Sequence, residues 1–212
     1  MKVIVSTLLL TVSFVCLLPH ASQAQLAEAP VYKDGEWWKI SVELRYGAKS
    51  WKTEHCHDSY SEYLIRVEQN KKKVYGLKGE KQEEIDCREI LEQVLGVETV
   101  SEVRSQKYLA YPMTVGKSWT GRIAVQKGHP VTTKSRARDV NWQDLEYIVS
   151  AWEKVKTPKE ELDAFKIEIL GWRWGQAPTY YYAPAAKAIV FFRQEHEHVT
   201  RTVTLRDYSV SQ

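Results

Sequence analysis

Few cysteines and no familiar catalytic motif are the first features of this 212-residue sequence. It contains three Cys, and it lacks a nucleophile elbow, a zinc-protease helix motif, a glycine-rich dinucleotide turn and a calcium loop. Gly116, Lys117 and Ser118 imitate the end of a phosphate-binding loop, but Tyr111 stands where the first glycine is required. These absences predict a protein that is not an enzyme, with no catalytic residues and no cofactor.

An excess of charge of one sign is also missing. The chain has 30 Lys and Arg against 27 Asp and Glu, for a formal net charge of +3. Such a balance predicts neither a nucleic-acid partner nor binding to a membrane surface. Beyond the first 24 residues, no apolar run approaches the length of a membrane span. We therefore expect a mature protein without a membrane span.

The first 24 residues have the pattern of a secretory signal peptide. Lys2 supplies a positive charge, residues 3–18 are mostly apolar, and Ser22 and Ala24 are the small residues before a cleavage site. The apolar core is short for a stable span, although a retained N-terminal anchor is the alternative. The sequence predicts export to the periplasm or the extracellular space.

Two cysteines, Cys56 and Cys87, remain after the predicted cleavage. An even pair in an oxidising compartment predicts a disulfide, and two thiolate metal ligands are the alternative. Asp86 is a good N-cap with Glu89 three residues later, which predicts a short helix over residues 86–95. The disulfide would then fasten this helix to the preceding polar loop, while a reactive thiolate at the helix N-terminus is the other reading.

The N-terminal half of the mature chain reads as strands around this helix. Apolar residues alternate with polar ones in the first strand, which predicts that one face is buried: Trp38, Ile40, Val42 and Leu44. Strands over residues 60–69 and 73–77 follow, joined by a turn at residues 69–72. Three lysines in a row, residues 71–73, are interpreted as part of a solvated turn. We place a module boundary in the polar connector, which gives an N-terminal module (25–107) and a C-terminal β-domain (108–212).

The C-terminal part, above all residues 145–208, predicts an antiparallel meander. Its apolar runs are rich in β-branched and aromatic residues and are separated by breaks that contain Pro or Gly. A final run without Gly or Pro is too long for one strand, so a hairpin turn is predicted at residues 194–198. The expected class is mainly β (α+β with one short helix), with the meander forming a curved sheet or an open barrel.

An aromatic cluster is the candidate ligand-binding site. Alternation places Trp172 and Trp174 on one face of the chain, and Tyr180 and Tyr182 likewise. Exposed, these rings would stack on sugars or line an apolar groove. Buried, they would be part of the core, as is common in β-domains of this size.

Two His-x-His pairs are the weak candidates for a metal site. In an extended chain, His55 with His57 and His196 with His198 would each present two imidazoles on one face. The first pair flanks a cysteine assigned to the disulfide, and the second falls at a predicted hairpin tip. Nothing in the sequence brings the pairs together, so no metal is expected.

Several short motifs of the C-terminal half resemble a family of exported bacterial domains of unknown function, the group numbered 3108 and its relatives. They occur in one order over about residues 108–208, around Pro112, Gly116, Trp119, Trp152, Pro158, Ala164, Ile167, Tyr180 and Pro184. The resemblance implies an exported antiparallel β-domain and brings no catalytic residues. Two turns lack the usual glycine, at residues 159–162 and 185–187, and are therefore expected to take other conformations.

These observations favour an exported, non-enzymatic β-protein. Its partner would be an apolar or glycan ligand, or another protein of the cell envelope. A carbohydrate-active or carbohydrate-binding accessory protein that uses the aromatic cluster is the alternative.

Overall fold

Ten antiparallel strands make up the part of the chain that the computed structural model describes, residues 25–46, 58–76, 109–126, 129–130, 141–173, 175–196 and 199–211. The strands are β1 (Trp37–Tyr46), β2 (Ser59–Glu68), β3 (Lys71–Gly76), β4 (Ser118–Gln126), β5 (His129–Pro130), β6 (Asn141–Lys156), β7 (Glu161–Leu170), β8 (Thr179–Ala183), β9 (Ala188–His196) and β10 (Val199–Ser209).

The strands form one open sheet in the order β3-β2-β1-β10-β9-β8-β7-β6-β4-β5. Neighbours along the chain are mostly neighbours in the sheet, as in a meander, and every pairing is antiparallel. The predicted mainly β class is therefore confirmed. A single 3₁₀ turn, Pro184–Ala186, and no α-helix occurs within the described ranges.

The first and last strands of the sequence pair with each other in the middle of the sheet. Ile40 lies opposite Leu205, and Val42 lies opposite Val203. One apolar core contains residues from both ends of the chain. The boundary predicted at residue 107 thus does not separate two sheets, because β1–β3 and β4–β10 share one.

Alternation decides which side of the sheet is buried. In β1 the predicted face is confirmed, since Trp38, Ile40, Val42 and Leu44 are all buried. The opposite face carries charged side chains and faces the solvent, with ion pairs such as Lys39–Glu62 at 3.2 Å and Lys166–Glu168 at 3.0 Å. We call the buried side the inner face and the charged side the outer face.

The hairpin between β2 and β3 corrects the interpretation of the three lysines. Its turn consists of Gln69 and Asn70 alone, which have φ values of 54° and 60°, as a two-residue type I′ turn requires. Asn70 N–H also donates to Asp34 Oδ1 (2.9 Å). Strand β3 therefore begins at Lys71, and residues 71–73 lie in a strand rather than in a turn.

The two turns that were expected to take other conformations for lack of a glycine differ from each other. Between β6 and β7, Thr157 Oγ1 donates to Glu160 O (2.7 Å), and no residue of this turn has positive φ. The expectation of another conformation holds there. It is wrong for the second turn, because Lys187 itself adopts the left-handed conformation, with φ 51° and ψ 28°.

His196 of β9 lies opposite Val199 of β10, so the predicted hairpin is confirmed. Its turn is shorter than the predicted 194–198, because residues 194–196 belong to β9. Other predictions lie outside the described residues: the signal peptide (1–24), the helix (86–95), Cys56, Cys87, His55, His57, Trp174 and His198. Within the described ranges, no helix is long and apolar enough to cross a membrane.

Candidate functional site

A small cleft opens on the inner face where β1–β3 meet the turn before β9. It is lined by Tyr32, Trp38, Ile65, Lys72, Leu109, Lys187, Ala188 and Ile189. Its walls are mostly apolar, and two of the lining side chains carry an ammonium group. In this conformation it has room for about one water molecule.

Two aromatic rings form a corner in this cleft. The Tyr32 and Trp38 rings meet edge to face, with centroids 5.7 Å apart and an interplanar angle of 82°. Lys72 Nζ lies 3.7 Å from the Tyr32 centroid and 5.7 Å from the Trp38 ring. The negative faces of aromatic rings attract a cation at such distances. The corner therefore holds the Lys72 ammonium on the buried side of the sheet.

The register of the β2–β3 hairpin explains why this one lysine points inward. Lys72 lies opposite Val67, which is buried on the inner face, and side chains directly opposite in a pair share a face. Lys71 and Lys73 point to the outer face, where Lys73 Nζ forms an ion pair with Glu68 at 2.9 Å. Burial lowers the pKa of Lys72 to about 8, although Glu36 opposes this shift.

A buried carboxylate fixes the same end of the molecule. Glu36 is 4% exposed, and its Oε1 accepts hydrogen bonds from Lys187 Nζ (2.7 Å) and from Ser211 N–H (3.0 Å) and Oγ (2.6 Å). Its Oε2 accepts from Lys33 N–H (3.1 Å). We call Glu36 with these partners the Glu36 clasp. The clasp joins the segment before β1, the turn before β9 and the segment after β10.

Further hydrogen bonds hold the turn that forms one cleft wall. Trp38 Nε1 donates to Ala186 O (2.7 Å), and the Tyr32 hydroxyl donates to Lys187 O (3.2 Å). Lys187 Nζ also donates to Val31 O (2.8 Å). A left-handed conformation costs a residue with a side chain roughly 1–2 kcal/mol. The bonds made by Lys187 offset that cost, which explains why this turn does without glycine.

The predicted aromatic cluster lies mostly in the core. Tyr180 is 3% exposed and Tyr182 is 1% exposed. Each shares a face with its predicted partner, but that face is the inner one. Trp172 is half-buried and packs against the core. The two tyrosines therefore offer no ring face to a ligand, which corrects their assignment as binding residues.

One tyrosine beside this core has an unusual environment. The Tyr111 hydroxyl is buried and makes no hydrogen bond of normal geometry. Its ring packs edge to face on Tyr182, with centroids 5.7 Å apart. Burial raises the pKa of Tyr111, and the nearby Tyr182 hydroxyl adds to the effect.

The structure also bears on the histidine candidates. His196 ends β9, and the other three histidines of the two pairs are outside the described residues. Over the part of the chain that the structure describes, no three His, Cys, Asp or Glu side chains come together as metal ligands.

Sequence reasoning missed most of the cleft. Alternation in β1 did place Trp38 on the inner face, and a two-residue turn at Gln69 and Asn70 would have placed Lys72 there too. No sequence signal marks Tyr32, Glu36 or Lys187 as neighbours, because their contacts join segments about 150 residues apart.

Neither a family model nor a curated protein matches this chain. Among solved structures, it is similar to the crystal structure of the hypothetical lipoprotein YmcC from Escherichia coli (K12). The two chains are 11% identical with a TM-score of 0.33, over 81% of this chain and 85% of the other. The resemblance to the group numbered 3108 stays a prediction from the sequence.

Proposed function

We propose that this chain is an exported, non-enzymatic β-protein that binds a ligand with an anionic end group and an apolar body at the Lys72 cleft. The signal-peptide pattern of residues 1–24 supports export. The observation that carries the binding proposal is the position of the Lys72 ammonium, 3.7 Å from the Tyr32 centroid in a mostly apolar cleft.

An anionic group suits this position on electrostatic grounds. A charge pair is stronger where the surroundings are less polar than water, and the Lys72 ammonium lies partly withdrawn from solvent. A carboxylate or phosphate would also restore part of the solvation that burial removes from the ammonium. The nearby Lys187 ammonium adds positive charge, but Glu36 and Val31 O already bind it.

The size of the cleft limits which part of a ligand enters. Room for about one water molecule admits an end group and not a whole chain or sugar ring. The apolar body would lie across the rim, where Val31 is 72% exposed and Val74 is 38% exposed. Val74 lies opposite Ile65, which lines the cleft.

A glycan ligand has weaker support. Stacking on sugars needs exposed ring faces, and Tyr180 and Tyr182 have none. At the cleft, Lys72 occupies the face of Tyr32. We therefore favour the apolar, anionic ligand over the carbohydrate.

Three probes separate these classes of ligand: dodecanoate, dodecyl maltoside and maltohexaose. Each is titrated calorimetrically into the exported form, which is the chain without residues 1–24. The two amphiphiles are kept below the concentrations at which they form micelles. We expect dodecanoate to bind more tightly than dodecyl maltoside, which has the same chain with an uncharged sugar head. Lys72→Met should weaken dodecanoate binding about tenfold or more. Lys71→Met, one residue away on the outer face, is the matched control and should leave binding unchanged.

Two results would contradict the proposal. One is dodecanoate binding that Lys72→Met does not alter, or no dodecanoate binding at all. The other is binding of maltohexaose alone, which would return the carbohydrate alternative to first place.

A further inference from the structure

Strand β3 forms one edge of the sheet. The strand order begins with β3, and within the described ranges β2 is the one strand that pairs with it. An edge strand presents unpaired backbone groups that another extended chain can bind. The geometry of the β2–β3 hairpin defines which groups these are.

Alternate residues of β3 turn their backbone groups away from β2. A two-residue turn is closed by a hydrogen-bonded pair, here Glu68 and Lys71. In an antiparallel ladder, hydrogen-bonded and non-hydrogen-bonded pairs alternate. Val74 and Gly76 therefore direct both N–H and C=O away from β2, toward the edge that no other described strand covers.

The side chains of β3 differ between its two faces. On the outer face stand Lys71, Lys73 and Tyr75, of which Tyr75 is 41% exposed. On the inner face Val74, 38% exposed, follows Lys72. A strand added beside β3 would have one set of residues next to cations and the other next to an apolar side chain.

The lysines also indicate what kind of strand fits. Lysine on an edge strand opposes pairing between identical copies, because cations would be placed against cations. Opposite charges on neighbouring strands are favourable. We propose that β3 is a docking edge for an extended segment of a partner protein in which acidic and apolar residues alternate. Its acidic side chains face Lys71 and Lys73, and its apolar side chains face Val74.

This inference does not depend on the ligand proposed for the cleft. The backbone edge, Val74 and the cations of the outer face bind the segment, whereas the Lys72 ammonium points inward to Tyr32. Lys72→Met should therefore leave segment binding intact while it weakens dodecanoate binding. The two proposals can fail separately.

The test uses a fluorescein-labelled peptide with the sequence Glu-Val-Glu-Val-Glu-Val-Glu and fluorescence anisotropy with the exported form. Two control peptides have the same composition: one groups the four Glu before the three Val, and one carries N-methyl groups on alternate backbone nitrogens. We expect the alternating peptide to bind, and both controls to bind at least about tenfold more weakly. Equal binding of the alternating and the grouped peptide would overturn the inference, since charge alone would then explain it.

Protein variants test the edge from the other side. Val74→Pro removes an N–H that points to the free edge, where proline is tolerated, and should weaken binding at least about tenfold. The double change K71E and K73E should weaken it similarly, whereas K154E with K156E on β6 is the charge-matched control and should not.

Unaltered binding by Val74→Pro, with a native circular dichroism spectrum, would refute strand addition. Should Val74→Pro fail to fold, the N-methylated peptide decides alone, because it leaves the protein unchanged. Sedimentation that shows a dimer lost in K71E with K73E would instead identify a second copy as the occupant and overturn the acidic segment.

Discussion

The Glu36 carboxylate should carry an acid-sensitive part of the protein's stability. Burial by itself raises its pKa, but hydrogen bonds from the Lys187 and Ser211 side chains and from the backbone N–H groups of Lys33 and Ser211 lower it to about 2, from an ordinary value of 4.5. The folded pKa lies below the unfolded one. The contribution is therefore complete above pH 4.5 and is lost as the pH falls toward about 2.

The size of this contribution follows from the same two values. A pKa lowered from 4.5 to about 2 corresponds to about 3 kcal/mol of stability at neutral pH, of which about 2 kcal/mol is lost by pH 3. Glu36→Gln keeps the shape of the side chain and removes its charge. Lys187, whose side chain is 15% exposed, then keeps Val31 O but loses its anionic partner. We expect this variant to be less stable by about 2–3 kcal/mol at pH 7.

Urea unfolding of the parent protein and of Glu36→Gln at pH 7 and pH 3 measures the effect. Because the other carboxyl groups are common to both proteins, the difference between them isolates Glu36. That difference should shrink by about 2 kcal/mol between pH 7 and pH 3. Glu161→Gln is the control, since Glu161 is exposed and lies 3.7 Å from Lys154, and it should cost less than about 0.5 kcal/mol. A gap that stays constant with pH, or one no larger than that of the control, would refute this account of the clasp.

Four further variants test other parts of the structure. Burial lowers the pKa of Lys72 to about 8 from 10.5. The folded protein therefore releases this proton at a lower pH than the unfolded chain does, and stability should rise between these two pH values. Denaturant unfolding should show that Lys72→Met removes the rise. Gly121→Ala would place a Cβ 2.5 Å from Tyr147 Cε2 and should cost about 1–3 kcal/mol in a thermal melt. Gly76→Ala meets nothing within 4 Å and should change stability by less than about 0.5 kcal/mol. Tyr111→Phe deletes a buried hydroxyl without a normal hydrogen bond, and calorimetry should find it equally stable or up to about 1 kcal/mol more stable.

The strands were predictable because the side-chain period of a strand is written in the sequence. In β1, four apolar residues at every second position predict a buried face, and all four are buried. The β9–β10 hairpin was predictable for a related reason, since a run of this length exceeds one strand. Pairing between β1 and β10 was not predictable, because no local pattern records a partner about 160 residues away.

Alternation shows which residues share a face, but not which face is inside. Tyr180 and Tyr182 share a face as predicted, and the structure buries both. The decision depends on β7 and β9, which flank them: Tyr180 lies between Ile167 and Phe192. A hydroxyl on each ring is compatible with exposure as well as with burial, so the common burial of aromatic residues in β-domains favoured the core without deciding it.

The cleft shows the same limit from the opposite side. Three consecutive lysines suggest solvent, yet one step in register gives Lys72 a different environment from its neighbours. Its position depends on the two-residue turn before β3 and on the Tyr32 ring from the lead-in to β1, and the Glu36 charge raises its pKa against the effect of burial. Glu36 in turn depends on Lys187 for its own charge state. Charge at this end of the sheet is therefore a property of the folded chain. Burial lowers the pKa of Lys72, and hydrogen bonds from Lys187, Ser211 and Lys33 lower that of Glu36.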